Sequence, residues 1–77
     1  MPIAYVLVNA EAGQESAVHA QLLKVPEVRE LMPLFGEYDF ICKIDAPDLD
    51  DLGQTILAKI RTIGGVAQTR TLTTTKL

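Results

Sequence analysis

The stretch Phe35-Gly36-Glu37-Tyr38-Asp39-Phe40 gathers a carboxylate, a phenol and consecutive backbone amides between two apolar runs, Leu31-Met32-Pro33-Leu34 and Ile41-Cys42-Lys43-Ile44. Presented together at one end of a sheet, such groups can hold a small zwitterion. The same residues also make an ordinary hairpin. Gly36 takes a positive φ without steric cost and Asp39 hydrogen-bonds local amides, so turn chemistry alone favours that simpler reading. The other reactive side chains carry less. His19, the only histidine, falls on the polar face of an expected helix, where a solvated imidazole outweighs a catalytic base. Cys42 sits in an apolar run with no second cysteine to bridge, which reads as a buried, inert thiol. Asp48, Asp50 and Asp51 suggest a metal site, but a capped helix start accounts for them. No catalytic residue and no metal ligand is assigned.

The elements that must position the loop follow from periodicity. Ile3 to Asn9 is β-branched and aromatic on both alternating faces, the pattern of a central strand. A helix is expected over Glu15 to Lys24, with Ala17, Val18, Leu22 and Val25 on one side. Pro26 stops it. Val28 to Phe35 follows as a strand whose Pro33 cannot donate to a ladder, which sends it to a sheet edge or bulges it at Pro33. The next strand alternates Phe40, Cys42 and Ile44 against Ile41 and Lys43. A second helix starts at the N-cap Asp48, carries Leu49, Leu52, Ile56, Ile60 and Ile63 in one arc with Gly53 beside them for close backbone approach, and stops at Gly64-Gly65. Val66 to Thr74 is the last strand, with Thr69, Thr71 and Thr73 on one face, and Thr75 to Leu77 form a tail that frays or clasps a partner.

Seventy-seven residues make one small domain, 1–77, near the size at which the core of a single copy is marginal. Yet the chain is 48% hydrophobic with a mean hydropathy of +0.19, more apolar surface than one copy hides, which predicts an oligomer. The net charge of −3 and the scatter of lysines and arginines disfavour direct nucleic-acid binding. No segment has the length to cross a bilayer and the N-terminus lacks a signal-peptide pattern, so a soluble, cytoplasmic protein is expected.

Strand, helix, strand, strand, helix, strand is the split βαβ plan of the ferredoxin-like α+β fold: βαββαβ, a four-stranded antiparallel sheet with two helices on one face. The bare face, apolar on its central strands, is expected to meet the same face of a second copy as a dimeric α/β barrel.

On that plan Pro26-Glu27-Val28, Gly36-Glu37-Tyr38-Asp39-Phe40, Ala46-Pro47-Asp48 and Gly65-Val66 followed by Thr69-Arg70-Thr71 stand in the order and spacing of a known family. The whole chain resembles the Lrp/AsnC effector-binding and oligomerisation domain, also called the RAM domain. It resembles the stand-alone form, since the chain starts at the first strand without the helix-turn-helix domain of these transcriptional regulators, and DNA binding does not carry over. The resemblance implies an amino-acid effector, no cofactor, and dimers that assemble into an octamer or a similar ring with the effector between dimers. Carried over by position, the site is Gly36, Glu37, Tyr38 and Asp39 of the loop with Thr69 and Thr71 of the last strand. Loop amides and threonine hydroxyls would donate to the carboxylate, Asp39 would accept from the ammonium, and Met32, Leu34 and Tyr38 would line the side-chain pocket.

Two other functions fit the same fold. Closed two-chain barrels also host isomerases and cofactor-free oxygenases, but such sites need a positioned acid or base, and His19, Cys42 and the capping carboxylates do not supply one. A purely structural assembly partner whose loop binds nothing stays open. An ACT-type amino-acid-binding domain shares the topology and would use a glycine near Gly13, but the Tyr38-Asp39 landmarks match the RAM pattern better. Pairing with full-length Lrp/AsnC homologues is a further expectation, whereas direct nucleic-acid and membrane partners are not expected.

Overall fold

The structure, a computed structural model, describes residues 3–74. The expected tail Thr75 to Leu77 lies outside them. The order is β1 (Ile3–Ala10), α1 (Glu15–Leu23), β2 (Val28–Pro33), β3 (Phe40–Asp45), α2 (Leu49–Thr55) running into a π turn at Ile56–Ile60, and β4 (Val66–Thr73). The strands form one antiparallel sheet in the order β2-β3-β1-β4. The βαββαβ plan and the central place of β1 are as the alternation predicts.

Period-two alternation divides the sheet into two unlike faces. Ala4, Val6 and Val8 of β1 and Phe40, Cys42 and Ile44 of β3 are buried, and Val18 and Leu22 of α1, Leu52 of α2 and Ile60 of the π turn complete the core with them. The opposite face carries Tyr5, Met32 and Leu72, which are 37%, 52% and 53% exposed. Tyr5 pairs with Leu72, and Ile41 lies between Leu7 and Met32, so this apolar surface crosses all four strands.

β2 lies at the sheet edge, where Pro33 removes no ladder bond that a neighbour needs. Its irregularity falls between Val28 and Glu30 rather than at Pro33, and the strand ends at Pro33 instead of Phe35, which leaves Leu34 and Phe35 in the loop.

The second helix starts as its cap predicts, with Asp48 Oδ1 accepting from Asp51 N–H at 2.8 Å. Its apolar arc differs from the expectation in two ways. Leu49 is exposed, and Arg61 N–H donates to Ile56 O at 2.9 Å, five residues back. An α-helix advances about 100° per residue, so steps of four residues drift around the axis. The wider π turn offsets that drift and keeps Ile60 in line with Leu52 and Ile56. Gly53 meets no close neighbour, so the expected backbone approach does not occur there; it occurs at Gly65, with φ +96°, where an added Cβ would come within 2.9 Å of Gln14 Cβ.

Among the described residues no helix is long and apolar enough to cross a membrane.

Candidate functional site

The loop joining β2 to β3 is built to hold its shape. Leu34 N–H donates to Asp39 O at 2.8 Å and closes it, while Gly36 takes φ +127°, a conformation side chains disfavour. Asp39 then ties the loop to β1: its N–H donates to Val8 O at 3.0 Å, and its Oδ2 accepts from Ala10 N–H at 2.9 Å. Ala10 lies at a register shift against β4, and Asp39 supplies its amide with an acceptor. The carboxylate therefore serves a residue 29 positions away in the chain, not the local amides expected from turn chemistry.

The same end of the sheet carries the start of β4. Glu11 N–H donates to Gly65 O at 2.7 Å, and Val8 pairs with Phe40 on one side and Thr69 on the other. Loop, end of β1 and start of β4 thus share one rim.

The candidate residues distribute unevenly over that rim. Gly36 and Glu37 are exposed, and Tyr38 and Asp39 are half-buried beside them. Leu34 and Phe35 stand out from the surface and border a recess of about 340 Å³ with Pro33. Met32 projects from the open sheet face with Ile41. Thr69 and Thr71 pair with Val8 and Val6, whose side chains are buried on the helix side, so their hydroxyls share that side at the uncovered edge of the sheet. Two strand spacings, about 10 Å, separate the backbones of Thr69 and Phe40. Within one copy, Gly36 to Asp39 with Leu34 form one cluster, and Thr69 and Thr71 stand apart from it.

Two side chains behave differently from the sequence reading. His19 is half-buried rather than solvated, its ring centroid 5.6 Å from that of Phe40, so the imidazole helps cover the first residue of β3. Phe35 is fully exposed. An aromatic next to a glycine in a turn is the signal that could have placed it outside the strand. Cys42 behaves as read: burial pushes its thiol up to about 11, which removes the thiolate that nucleophilic chemistry needs at neutral pH. Among the described residues no group of three or more His, Cys, Asp or Glu is placed to hold a metal ion.

With that geometry in hand, known proteins give the framework. Residues 3–76 match the model of the Lrp/AsnC ligand binding domain. The HTH-type transcriptional regulator FL11 of Pyrococcus furiosus is 32% identical over 97% of this chain and 49% of its own length, so the chain spans about half the length of such curated relatives. The crystal structure of FFRP-DM1 superposes with a TM-score of 0.92 at 39% identity, covering 97% of this chain and 100% of that one. A transcriptional regulator from Neisseria meningitidis, solved as an L-Met complex, shares the fold with a TM-score of 0.86 at 21% identity over 97% of this chain and 50% of its own. FL11 and the Neisseria protein are transcriptional regulators, and the rim of loop, β1 and β4 lies inside the region matched by the family model. By this match over nearly its full length, the chain belongs to the Lrp/AsnC ligand-binding domain family.

Proposed function

We propose that the protein is the effector-binding and assembly module of an Lrp/AsnC-type regulatory system in the cytoplasm, with a free amino acid as its effector and without DNA binding of its own. The observation that carries this reading is the anchored loop: Asp39 is held to β1 by its N–H at 3.0 Å and by Oδ2 at 2.9 Å. An acid fixed in this way keeps a carboxylate oriented at the rim, in the same loop as the amides of Gly36, Glu37 and Tyr38, which suits a ligand bearing both an ammonium and a carboxylate. Leu34 and the Tyr38 ring offer apolar surface for its side chain.

Two strand spacings, about 10 Å, separate the backbones of Thr69 and Phe40, which leaves room for a second copy to complete the site. The apolar open face supports the same conclusion from another direction, because about 25 cal/mol is gained per Å² of such surface withdrawn from water. Two copies packed through their sheets and joined into a larger ring at the loop rim would bring both halves of the site together. The same face would accept the equivalent domain of a full-length homologue, and the net charge of −3 argues for acting through such a partner rather than on DNA directly.

The test is thermal unfolding with each of the twenty amino acids, read beside particle mass by light scattering. A ligand specific to the native assembly raises the melting temperature by mass action. A chemically coherent subset should do so and shift the mass distribution. The variant Asp39→Asn retains an acceptor for Ala10 N–H and loses the charge, so it should melt near the parent temperature yet bind that subset about tenfold or more weakly. If no amino acid moves the transition, the loop is a turn only.

A further inference from the structure

We propose that the outer edge of β4 is an interface at which a second copy of this chain adds its own β4, antiparallel and related by a two-fold axis at Thr71. The hydrogen bonds decide which backbone groups are free for this. Thr74 N–H donates to Ile3 O at 3.1 Å, one step beyond the pair Ala4 and Thr73. Tyr5 with Leu72 and Leu7 with Arg70 are therefore the hydrogen-bonded pairs of this ladder. Thr69, Thr71 and Thr73 alternate with them, so their N–H and C=O groups point away from β1. Among the described residues no strand lies beyond that edge.

The two edges of the sheet are built differently. At the β2 edge Leu34 N–H donates inward to Asp39 O at 2.8 Å, so the adjacent Pro33 faces outward with no N–H to offer. That strand is also irregular between Val28 and Glu30. Both devices discourage a further strand. The β4 edge has neither: it is regular from Gln68 to Thr73, and Val66–Thr73 has no proline or glycine. An edge of this kind accepts another strand through its main chain.

The residues of β4 select the partner and the register. With the axis at Thr71, that residue meets its own counterpart and Thr69 meets Thr73 of the second copy. Threonine then stands against threonine on the helix side, and Arg70 against Leu72 on the open face. About six hydrogen bonds close between the copies, and the cross-strand threonine pairs add to them. An axis at Arg70 would oppose two arginines, and one at Thr69 would set Thr71 against Ala67, which the pairing with β1 skips. Val66–Thr73 also carries no acidic residue, so two chains of net charge −3 meet there with little repulsion. The net gain from each hydrogen bond is small beside the cost of association. This contact therefore adds to pairing through the open face and rests on it, holds no two chains together alone, and is independent of the amino-acid reading.

The experiment is amide hydrogen exchange of the full chain by NMR in amino-acid-free buffer, read beside particle mass by light scattering. An unpaired edge leaves the amides of Thr69, Thr71 and Thr73 exchanging about tenfold or more faster than those of Gln68, Arg70 and Leu72. Pairing should protect all six alike. Thr71→Lys sets like charges opposite each other at the axis. It should free the Thr69 and Thr73 amides and lower the mass about twofold or more, while continued protection of Arg70 and Leu72 shows that the fold is kept. A mixture of Thr71→Lys and Thr71→Glu chains should restore both protection and mass, because only a strand that meets its own copy at Thr71 brings the two charges together. Fast exchange at the three threonines of the parent, or no rescue in the mixture, would overturn the proposal. Loss of mass in Tyr5→Glu but not in Thr71→Lys would overturn it as well and leave the open-face pairing standing, whereas an unchanged mass in Tyr5→Glu would remove the pairing on which it rests.

Discussion

The two faces of the sheet lead different lives, and the open one sets Glu30, Lys43 and Arg70 among its apolar side chains. On the helix side Val6, Cys42 and Ile44 are wholly buried, whereas on the other side Tyr5, Met32 and Leu72, drawn from the same strands or their neighbours, stay accessible. α1, α2 and the π turn supply a second layer to the first face and, among the described residues, nothing covers the other.

The sharpest way to break this contrast is to charge the open face at its centre. Tyr5→Glu would force an unpaired carboxylate into any sheet-to-sheet contact, a cost of about 3–5 kcal/mol to that contact. Light scattering should then report a single chain with unchanged circular dichroism, and an unaltered mass would separate the open face from assembly. On the covered face the equivalent injury strikes folding. Ile44→Ala should lower stability by about 2–5 kcal/mol in a urea titration at any protein concentration.

A second probe of the covered face needs no substitution. Burial pushes the Cys42 thiol up from 9.0 to about 11 in the fold. Above the lower value the unfolded chain releases its proton and the folded one keeps it, so stability is lost as pH rises from 9 to 11, by about 2–3 kcal/mol. Denaturation measured at pH 8 and 10.5, with Cys42→Ala as reference, isolates the contribution.

Smaller effects test how the helix layer is seated. Gly65→Ala combines φ +96° with a Cβ placed 2.9 Å from Gln14 Cβ and 3.1 Å from Val18 Cγ2. About 1–3 kcal/mol should be lost, seen as a lower melting temperature. The smallest change expected is on the open face again, where Glu30 and Lys43 pair at 3.4 Å with both side chains partly solvated. Glu30→Ala should cost at most about 0.5–1 kcal/mol and respond to salt.

Residue patterns close in sequence were legible before the fold was. The alternation Phe40, Cys42, Ile44 identified the buried face of β3, Pro33 sent β2 to an edge, and Asp48 marked the helix start, because each acts through neighbours a few positions away. Features set by distant partners were not. Asp39 reads as a turn residue until Ala10 is found against its carboxylate, His19 reads as solvated until Phe40 lies beside it, and the π turn answers to core packing that no short window of sequence contains. The site divides along the same line. Gly36 to Asp39 form one loop as read and Leu34 joins them from the expected strand, whereas Thr69 and Thr71 stand across β1 from it.

The pairing of Ala4 with Thr73 in neighbouring antiparallel strands, closed by Thr74 N–H to Ile3 O at 3.1 Å, has a mechanical side. Tension applied between Ile3 and Thr74 would load the β1–β4 ladder one bond at a time, as a zipper opens, instead of shearing many bonds together. β4 has one neighbour and β1 has two, so β4 would peel first and leave the three-stranded remainder standing. A tether pulling at those two residues would reach the threonines of β4 well before it disturbed the loop held by Asp39.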